Sequence, residues 1–529
     1  MAEKHEVAHT KDLEKADNRS LSIASTLSAP VDFHDEHLRS IGEKNSYYVH
    51  DLTWTEAEEK ELVRIFDLKV LSWIGVMFFF LQLDRGNMSN ALTDDLMLDL
   101  NINLNTVTLG TTIFILFFCA FEIPSNMVIR RVGPHRWIPF LMCLWGLATA
   151  AQVFLKDKVS FFICRALVGL FEAGYIPGIA IYLTTYYKRK EMALRLSIFW
   201  STLSIANSFA GLISYGILHM RGIAGLAGWR WLFLIEGLLT TVIGVLSFFI
   251  LPEGPTATKG MLRFSGYLTE RQELIAITRL VRDDPSKADQ SKKVVPKADI
   301  MRALKSTKVW PHVLIGFFGL LPATPIGGFA PLILKMLGFN GLKANLMTIP
   351  GHILSLIIML TVSYSSDRLN ERAFHGAIAT AYYACCVLSL ALLPLGASKY
   401  SLYVLLIFTI GGQTCWHPVN AAWIAGNTAP VGKRTIALAM YIISVNITAI
   451  AGTNVFRAEY APRFIGGMWI LFGSLIITIL LFIFQRYHLR GINKKRAKIT
   501  ANWTLEDWKH YNETTDHIGD DRLDYVYCY

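Results

Sequence analysis

Asp84 and Arg85 stand side by side in one apolar run, and Arg165 and Glu172 stand seven residues apart in another. Seven residues make two turns of α-helix, so Arg165 and Glu172 share one face about 10 Å apart. A charge near the centre of a bilayer costs at least a few kcal/mol, and such groups usually face a bundle interior or an aqueous cavity where they pair or bind something. An Arg fork holds a planar carboxylate through two parallel hydrogen bonds, and a desolvated carboxyl keeps its proton more readily than one in water. The four residues therefore read as proton carriers, Asp84 and Glu172, and as holders of an anion, Arg85 and Arg165. Two plainer readings compete: Asp84-Arg85 ends a helix at the headgroups, where Arg snorkels, and Arg165 and Glu172 make structural ion pairs with a neighbouring helix.

The elements that must position these residues follow from hydropathy. The chain has 529 residues, is 53% hydrophobic and carries only 17% charged residues, well short of the roughly 25% of a soluble protein. Twelve apolar segments, each near the ~20 residues that cross ~30 Å of hydrocarbon, are predicted near 68–92, 105–129, 137–155, 160–186, 193–218, 230–251, 310–334, 343–364, 374–395, 401–426, 435–456 and 464–485. The reading is an all-α membrane protein. Leu68 to Asp84 covers about 24 Å at 1.5 Å per residue, which puts Asp84-Arg85 in the outer half of the membrane. Gly86-Asn87 behind the pair favours a loosened helix lining a cavity. In the fourth span Gly169, Ala173 and Gly174 permit close approach of another helix.

The chain divides into a polar tail at 1–54, expected to be disordered; six spans within 55–251; a charged linker at 252–309; six more spans within 310–486; and a second tail at 487–529. Thr55 with Glu58, and Thr269 with Gln272, carry the spacing of a capping box at a helix start. The basic clusters at Arg130, Lys188, Arg368 and Lys433 fall on the same side as the tails and linker, which the positive-inside rule makes cytoplasmic. Six spans plus six, with the site between two bundles, is the layout of a duplicated transporter. A net charge of +10 is then a basic face against anionic lipid, not a nucleic-acid surface. With no early apolar stretch ahead of a small-residue cleavage site, no cleavable signal peptide is expected before the first span. The seven cysteines show neither metal-ligand nor disulfide-framework spacing, and no metal, cofactor or enzymatic constellation is apparent. Sequons at Asn18, Asn502 and Asn512 lie in expected cytoplasmic tails, and those at Asn87 and Asn446 lie in spans, so none is expected to carry sugar.

Leu83-Asp84-Arg85-Gly86-Asn87, Glu122-Ile123-Pro124-Ser125-Asn126 with Arg131, and Arg165 through Glu172-Ala173-Gly174 to Pro177 resemble the anion:cation symporter family of the major facilitator superfamily. Trp231 to Gly237, Tyr267 to Glu270, Leu337-Gly338-Phe339 and Ala344 to Pro350 extend the resemblance over residues 60 to 490. The chain is most similar to the fungal allantoate-permease branch, whose members take up small organic anions such as allantoate, nicotinate, pantothenate, biotin, cysteine and sulfonates. The resemblance implies a major facilitator fold of two six-helix bundles. It further implies that Asp84 and Glu172 carry protons, that Arg85 meets a substrate carboxylate, and that Arg165 pairs with Asp84. The superfamily's loop acid after the second span is missing between Asn126 and Arg131, whereas Asp367-Arg368 keeps a version of it in the second half.

In the second half, Gln413, Trp416, His417, Pro418 and Asn420, with Ser444, Asn446 and Asn454, are candidates to close a site with hydrogen bonds and an aromatic wall. A lone His beside Pro418 is equally a packed core residue. Glu122 and Glu236 read first as fasteners between helices, and Glu122, Asn126, Arg131, Asp367 and Arg368 as structural or gating residues. The expected partners are a small organic anion, protons and the lipid bilayer. The expected form is a monomer in the plasma membrane, with endoplasmic reticulum or vacuole as alternatives. Two rivals share the fold: a nutrient sensor that binds without transporting, and a proton antiporter that exports drugs or organic anions.

Overall fold

The structure, a computed structural model, describes residues 47–92, 94–259, 266–284, 287, 295–326, 341–394, 398–452, 455 and 465–529. Residues 1–46 of the expected tail, Asn454, and the Leu337 to Phe339 part of the resemblance lie outside the described residues. All regular structure among the described residues is helical. Among the described residues, nine helical stretches are long and apolar enough to cross a membrane, the fourth span counting only with its two pieces taken together, and they account for nine of the twelve predicted spans. The other three fall short for identifiable reasons. The first is diluted by its polar Asp84–Asn87 stretch, the seventh is described only through Ile326, and the tenth is broken into two pieces.

The first half comprises α1 (Glu56–Phe66), α2 (Ser72–Ala91), α3 (Leu104–Val132), α4 (Pro134–Ala150), α5 (Lys158–Glu172), α6 (Tyr175–Thr184), α7 (Met192–Leu218) and α8 (Gly228–Ile250). The linker forms α9 (Glu270–Asp283) and α10 (Lys297–Leu304). The second half comprises α11 (Trp310–Leu320), α12 (Gly341–Leu369), α13 (Ala373–Leu392), α14 (Lys399–Gly412), α15 (His417–Asn427), α16 (Val431–Gly452) and α17 (Ile465–Thr500), followed by α18 (Leu505–Thr514). Apolar side chains on outward faces stay exposed at helical spacing, as with Leu238, Val242 and Val245 on α8 or Leu480 and Phe484 on α17. Lipid, not water, is the solvent that tolerates such faces.

Both expected capping boxes form. The Glu58 amide donates to Thr55 Oγ1 at 3.2 Å and the Thr55 amide to Glu58 Oε2 at 2.8 Å. The Gln272 and Thr269 pair does the same at 3.3 and 3.0 Å. Residues 47–54, placed in the disordered tail by composition, are instead held on α9: the Val49 amide donates to Thr278 Oγ1, and Arg282 donates to the carbonyls of His50 and Leu52.

Two predicted spans prove discontinuous. The fourth stops at Glu172 and resumes at Tyr175, because Gly174 adopts a left-handed conformation with φ of +87°. Pro177 supplies a second cause, having no N–H and a ring that would strike the Ala173 carbonyl four residues back. The tenth stops at Gly412 and resumes at His417, with Pro418 standing in the same relation to Thr414. At 15 and 14 residues, the outer pieces α5 and α14 are each about 21 to 22 Å long, so both breaks lie deep in the bundle.

The halves meet through α7 against α12 and α15, α3 against α16, and α6 against α15 and α16. At the basic end, Asp367 of α12 accepts from the Ala193 and Leu194 amides at 3.3 and 2.7 Å, capping α7 of the other half. Arg372 holds Asp367 from behind at 2.5 Å, and the hydroxyls of Ser197 and Ser363 bond across the same seam.

Candidate functional site

Arg85 Nε donates to Glu172 Oε1 at 2.9 Å, joining α2 to the last residue of α5 before the break. Glu172 is 1% exposed, whereas the Arg85 side chain keeps 25% of its surface open. The guanidinium lies over Phe118 and Phe114, at 5.5 and 6.0 Å from the ring centroids. A buried ion pair of this kind is held only where further hydrogen bonds complete it. Here Glu172 Oε2 and Arg85 Nη2 are both buried without a hydrogen-bond partner. The pair thus presents a spare acceptor and a spare donor side by side.

The break itself is a polar feature. The Gly174 amide, freed by the interruption, donates to Glu122 Oε2 at 2.8 Å. A Cβ on Gly174 would sit 2.3 Å from Ser125 Oγ, so the position admits only glycine for reasons of both backbone and space. The N-terminus of α6, with its partial positive charge, therefore starts next to Glu122 and Glu172. Asn126 donates to the Glu122 carbonyl at 2.8 Å on its own helix. The Gly174 bond joins Glu122 of α3 to the break.

Asp84 is buried, at 8% exposure, and accepts from Trp145 Nε1 at 3.2 Å. Arg165 does not pair with it. Arg165 Nη2 donates to Gln152 Oε1 at 2.8 Å and its guanidinium lies over Phe161, while remaining within electrostatic reach of Glu172 and Asp84. The pairing implied by resemblance is thereby replaced by Arg85 with Glu172. The physical reason is that Gln152, in the turn after α4, offers Arg165 a neutral acceptor. Asp84 also faces Glu236 and Thr240 of α8, and Glu236 faces Asn87. Asp84 Oδ1, both Asn87 amide atoms, both Glu236 oxygens and Thr240 Oγ1 are buried without closing a hydrogen bond. Asp84 and Asn87 lie three residues apart on α2, and Glu236 and Thr240 four apart on α8, so facing ridges bring them together.

A profile of the Major Facilitator Superfamily matches residues 74–453. The chain belongs to the major facilitator superfamily. Uncharacterized transporter YIL166C of Saccharomyces cerevisiae is 34% identical over 507 residues, covering 94% of this chain and 93% of the relative. MFS transporter prlL of Fungal sp. is 29% identical over 472 residues, covering 87% and 92%. Among solved structures, the proton:xylose symporter XylE superimposes with a TM-score of 0.61 at 16% identity, covering 79% of this chain and 94% of that one. The E. coli fucose:proton symporter FucP gives 0.58 at 12%, covering 78% and 98%. This superfamily member is accordingly a transporter, not an enzyme.

The second-half candidates are less gathered. His417 stands at the start of α15, bonded through Nδ1 to the Tyr441 hydroxyl and packed against Trp200 of the first half at 4.3 Å between centroids. Its Nε2 is buried and unbonded. Trp416 turns away from the seam and is wholly buried inside its own bundle, against Gly319 and Phe482. Gln413 donates to the Ala323 carbonyl at 3.4 Å, and Asn446 to the Ile442 carbonyl of its own helix. His417 thereby touches the other half. Arg131 and Arg368 are exposed at helix ends. Residues that sequence reasoning passed over as site members are Gln152, Trp145, Asn87, Thr240 and Trp200. The polar ones among them carried a signal as uncharged hydrogen-bonding groups in otherwise apolar helices.

Proposed function

We propose that this transporter imports a small organic anion, a carboxylate or sulfonate, driven by protons and working by alternating access. The observation that carries the reading is the Arg85–Glu172 pair, buried beside the N-terminus of a broken helix with one donor and one acceptor unspent. Discontinuous helices that aim a positive N-terminal end at the bundle centre suit an anionic substrate group. Protonation of Glu172 from outside uncouples it from Arg85, and the freed guanidinium then grips the anion bidentately. Asp84 serves as the second proton site. The two halves rock about the bound anion, and loss of the protons inside restores the Arg85–Glu172 pair and releases it. The resemblance to the allantoate-permease branch supports the same substrate class; a plasma-membrane setting and a monomeric unit complete the proposal.

The test begins with a growth screen of a deletion strain on single vitamin, nitrogen and sulfur sources to find a transported anion. In vesicles, Glu172→Gln should then lower proton-driven accumulation by at least about tenfold, the factor carried by 1.4 kcal/mol, while exchange persists. Unchanged uphill uptake in that variant would overturn the assignment.

A further inference from the structure

The second tail does not trail into solution. Gly519 to Tyr529 docks under the basic end of the second half. Asp520 is 1% exposed and accepts from Lys433 Nζ at 2.8 Å, with both side chains 2% exposed. Lys308, just ahead of α11, reaches Asp521 at 2.5 Å. Arg496 of α17 donates to the carbonyls of Asp520 and Tyr525 at 2.8 and 2.6 Å. One short segment thus ties the ends of three helices, α11, α16 and α17.

Its last residues reach the seam between the halves. The Cys528 carbonyl accepts from Trp423 Nε1 at 2.8 Å and from Asn427 Nδ2 at 2.6 Å, and the Cys528 amide returns a bond to Asn427 Oδ1 at 2.9 Å. These are side chains of α15, the helix whose first residue, His417, packs on Trp200 of the first half. The Tyr525 hydroxyl donates to the Gly426 carbonyl at 2.8 Å, and its ring carries the Arg189 guanidinium 5.1 Å above it. Arg189 belongs to the first half, and its carbonyl accepts from Arg372, the residue that holds Asp367 against α7. The Arg372 amide in turn donates to the Tyr529 carbonyl at 3.3 Å.

We infer that residues 519–529 form a strap that holds the cytoplasmic gate shut, so that opening inward requires this segment to undock. Burial of the Lys433–Asp520 pair makes the anchor costly to break singly, while the Tyr525–Arg189 stack is the contact that crosses between halves. The anchor therefore keeps the strap attached, and the tyrosine decides whether the gate is latched. This inference rests on alternating access and is independent of which anion is carried.

The test is hydrogen–deuterium exchange on the purified full-length protein, a variant lacking 519–529, and Tyr525→Ala. Exchange at Ala193 and Leu194, whose amides bond to Asp367, should quicken by roughly five- to thirtyfold in the deletion, as loss of one to two kcal/mol requires. Tyr525→Ala should give a smaller increase at the same amides with the Lys433 region unchanged. Gate amides that exchange at the unaltered rate in both variants would overturn the inference, and so would a uniform increase through both bundles, since that marks a general brace. No substrate is needed, so Glu172→Gln can fail in transport without affecting this outcome.

Discussion

The two broken spans are built alike and furnished differently. Each has an outer helix of 14 or 15 residues, an interruption and an inner helix of 10 or 11 beginning close to a proline. At the first interruption stand Glu172, Glu122 and the Gly174 amide, with Arg85 reaching in from α2. At the second stand His417, Tyr441 and the indole of Trp200. The helix break is thus a backbone device common to both halves, whereas among the described residues the carboxylates and guanidinium gather at the first. On the proposed function, carboxylates and a guanidinium on one wall and aromatic groups on the other would select by charge on one side and by shape on the other.

The largest expected effect follows from removing the cation on the charged wall. Arg85→Ala strands Glu172 in a buried setting, and breaking such a pair costs about 3 to 5 kcal/mol. Uptake should vanish, and thermal unfolding in detergent should shift sharply downward. Unaltered melting would erase the distinction between the two walls.

Next comes the glycine at the first break. Gly174→Ala meets both a φ of +87° and a Cβ position 2.3 Å from Ser125 Oγ, a strain of about 1 to 3 kcal/mol, readable as a lower melting temperature. The second break has no residue of positive φ, so the comparison predicts no equivalent sensitivity at Gln413 to Trp416.

A milder change is expected on the neutral wall. His417→Gln keeps a hydrogen-bonding group against Tyr441 and should raise KM for the transported substrate several-fold with little loss of maximal rate. Loss of proton coupling in His417→Gln would move the titrating function to the second half and reverse the assignment.

The smallest effect lies outside the membrane. Burial raises the Glu59 carboxyl, but Lys188, Trp54 and Arg279 together outweigh this and hold it down, from its ordinary 4.5 to about 2. A depressed folded value means that Glu59 contributes its stability above about pH 4.5 and loses it as the pH falls towards 2. Limited proteolysis of the linker should accelerate through that window, and Glu59→Gln should flatten the response.

How much of this was legible in the chain depends on whether the cause was local. Thr55 with Glu58 and Thr269 with Gln272 specify their caps within four residues, and both formed as read. Burial of Asp84 and Glu172 was legible because each interrupts an otherwise apolar stretch. The break at Gly174 was not, since glycine and proline are common inside spans and leave mean hydropathy high. Gln152 stood out as a polar group in an apolar stretch, but that it would meet Arg165 was not legible, because it sits in the single 3-10 turn Ala151–Phe154, whose direction depends on how α4 ends. The strap escaped because its alternating Tyr525, Tyr527 and Tyr529 lie in a polar tail where apolar period is absent. Its binding surface is assembled from four distant helices.

One close contact sets a limit on how the protein can move. Gly169 lies so near α3 that a Cβ there would stand 2.3 Å from the Phe114 carbonyl oxygen. Backbones in such flush contact cannot slide without collision. Phe114 belongs to the aromatic bed beneath Arg85 and Gly169 is one turn from Glu172, so bed and acid travel as a single solid block. Any stroke of the machine must therefore be taken up at its seams, with the aromatic bed and Glu172 kept in register.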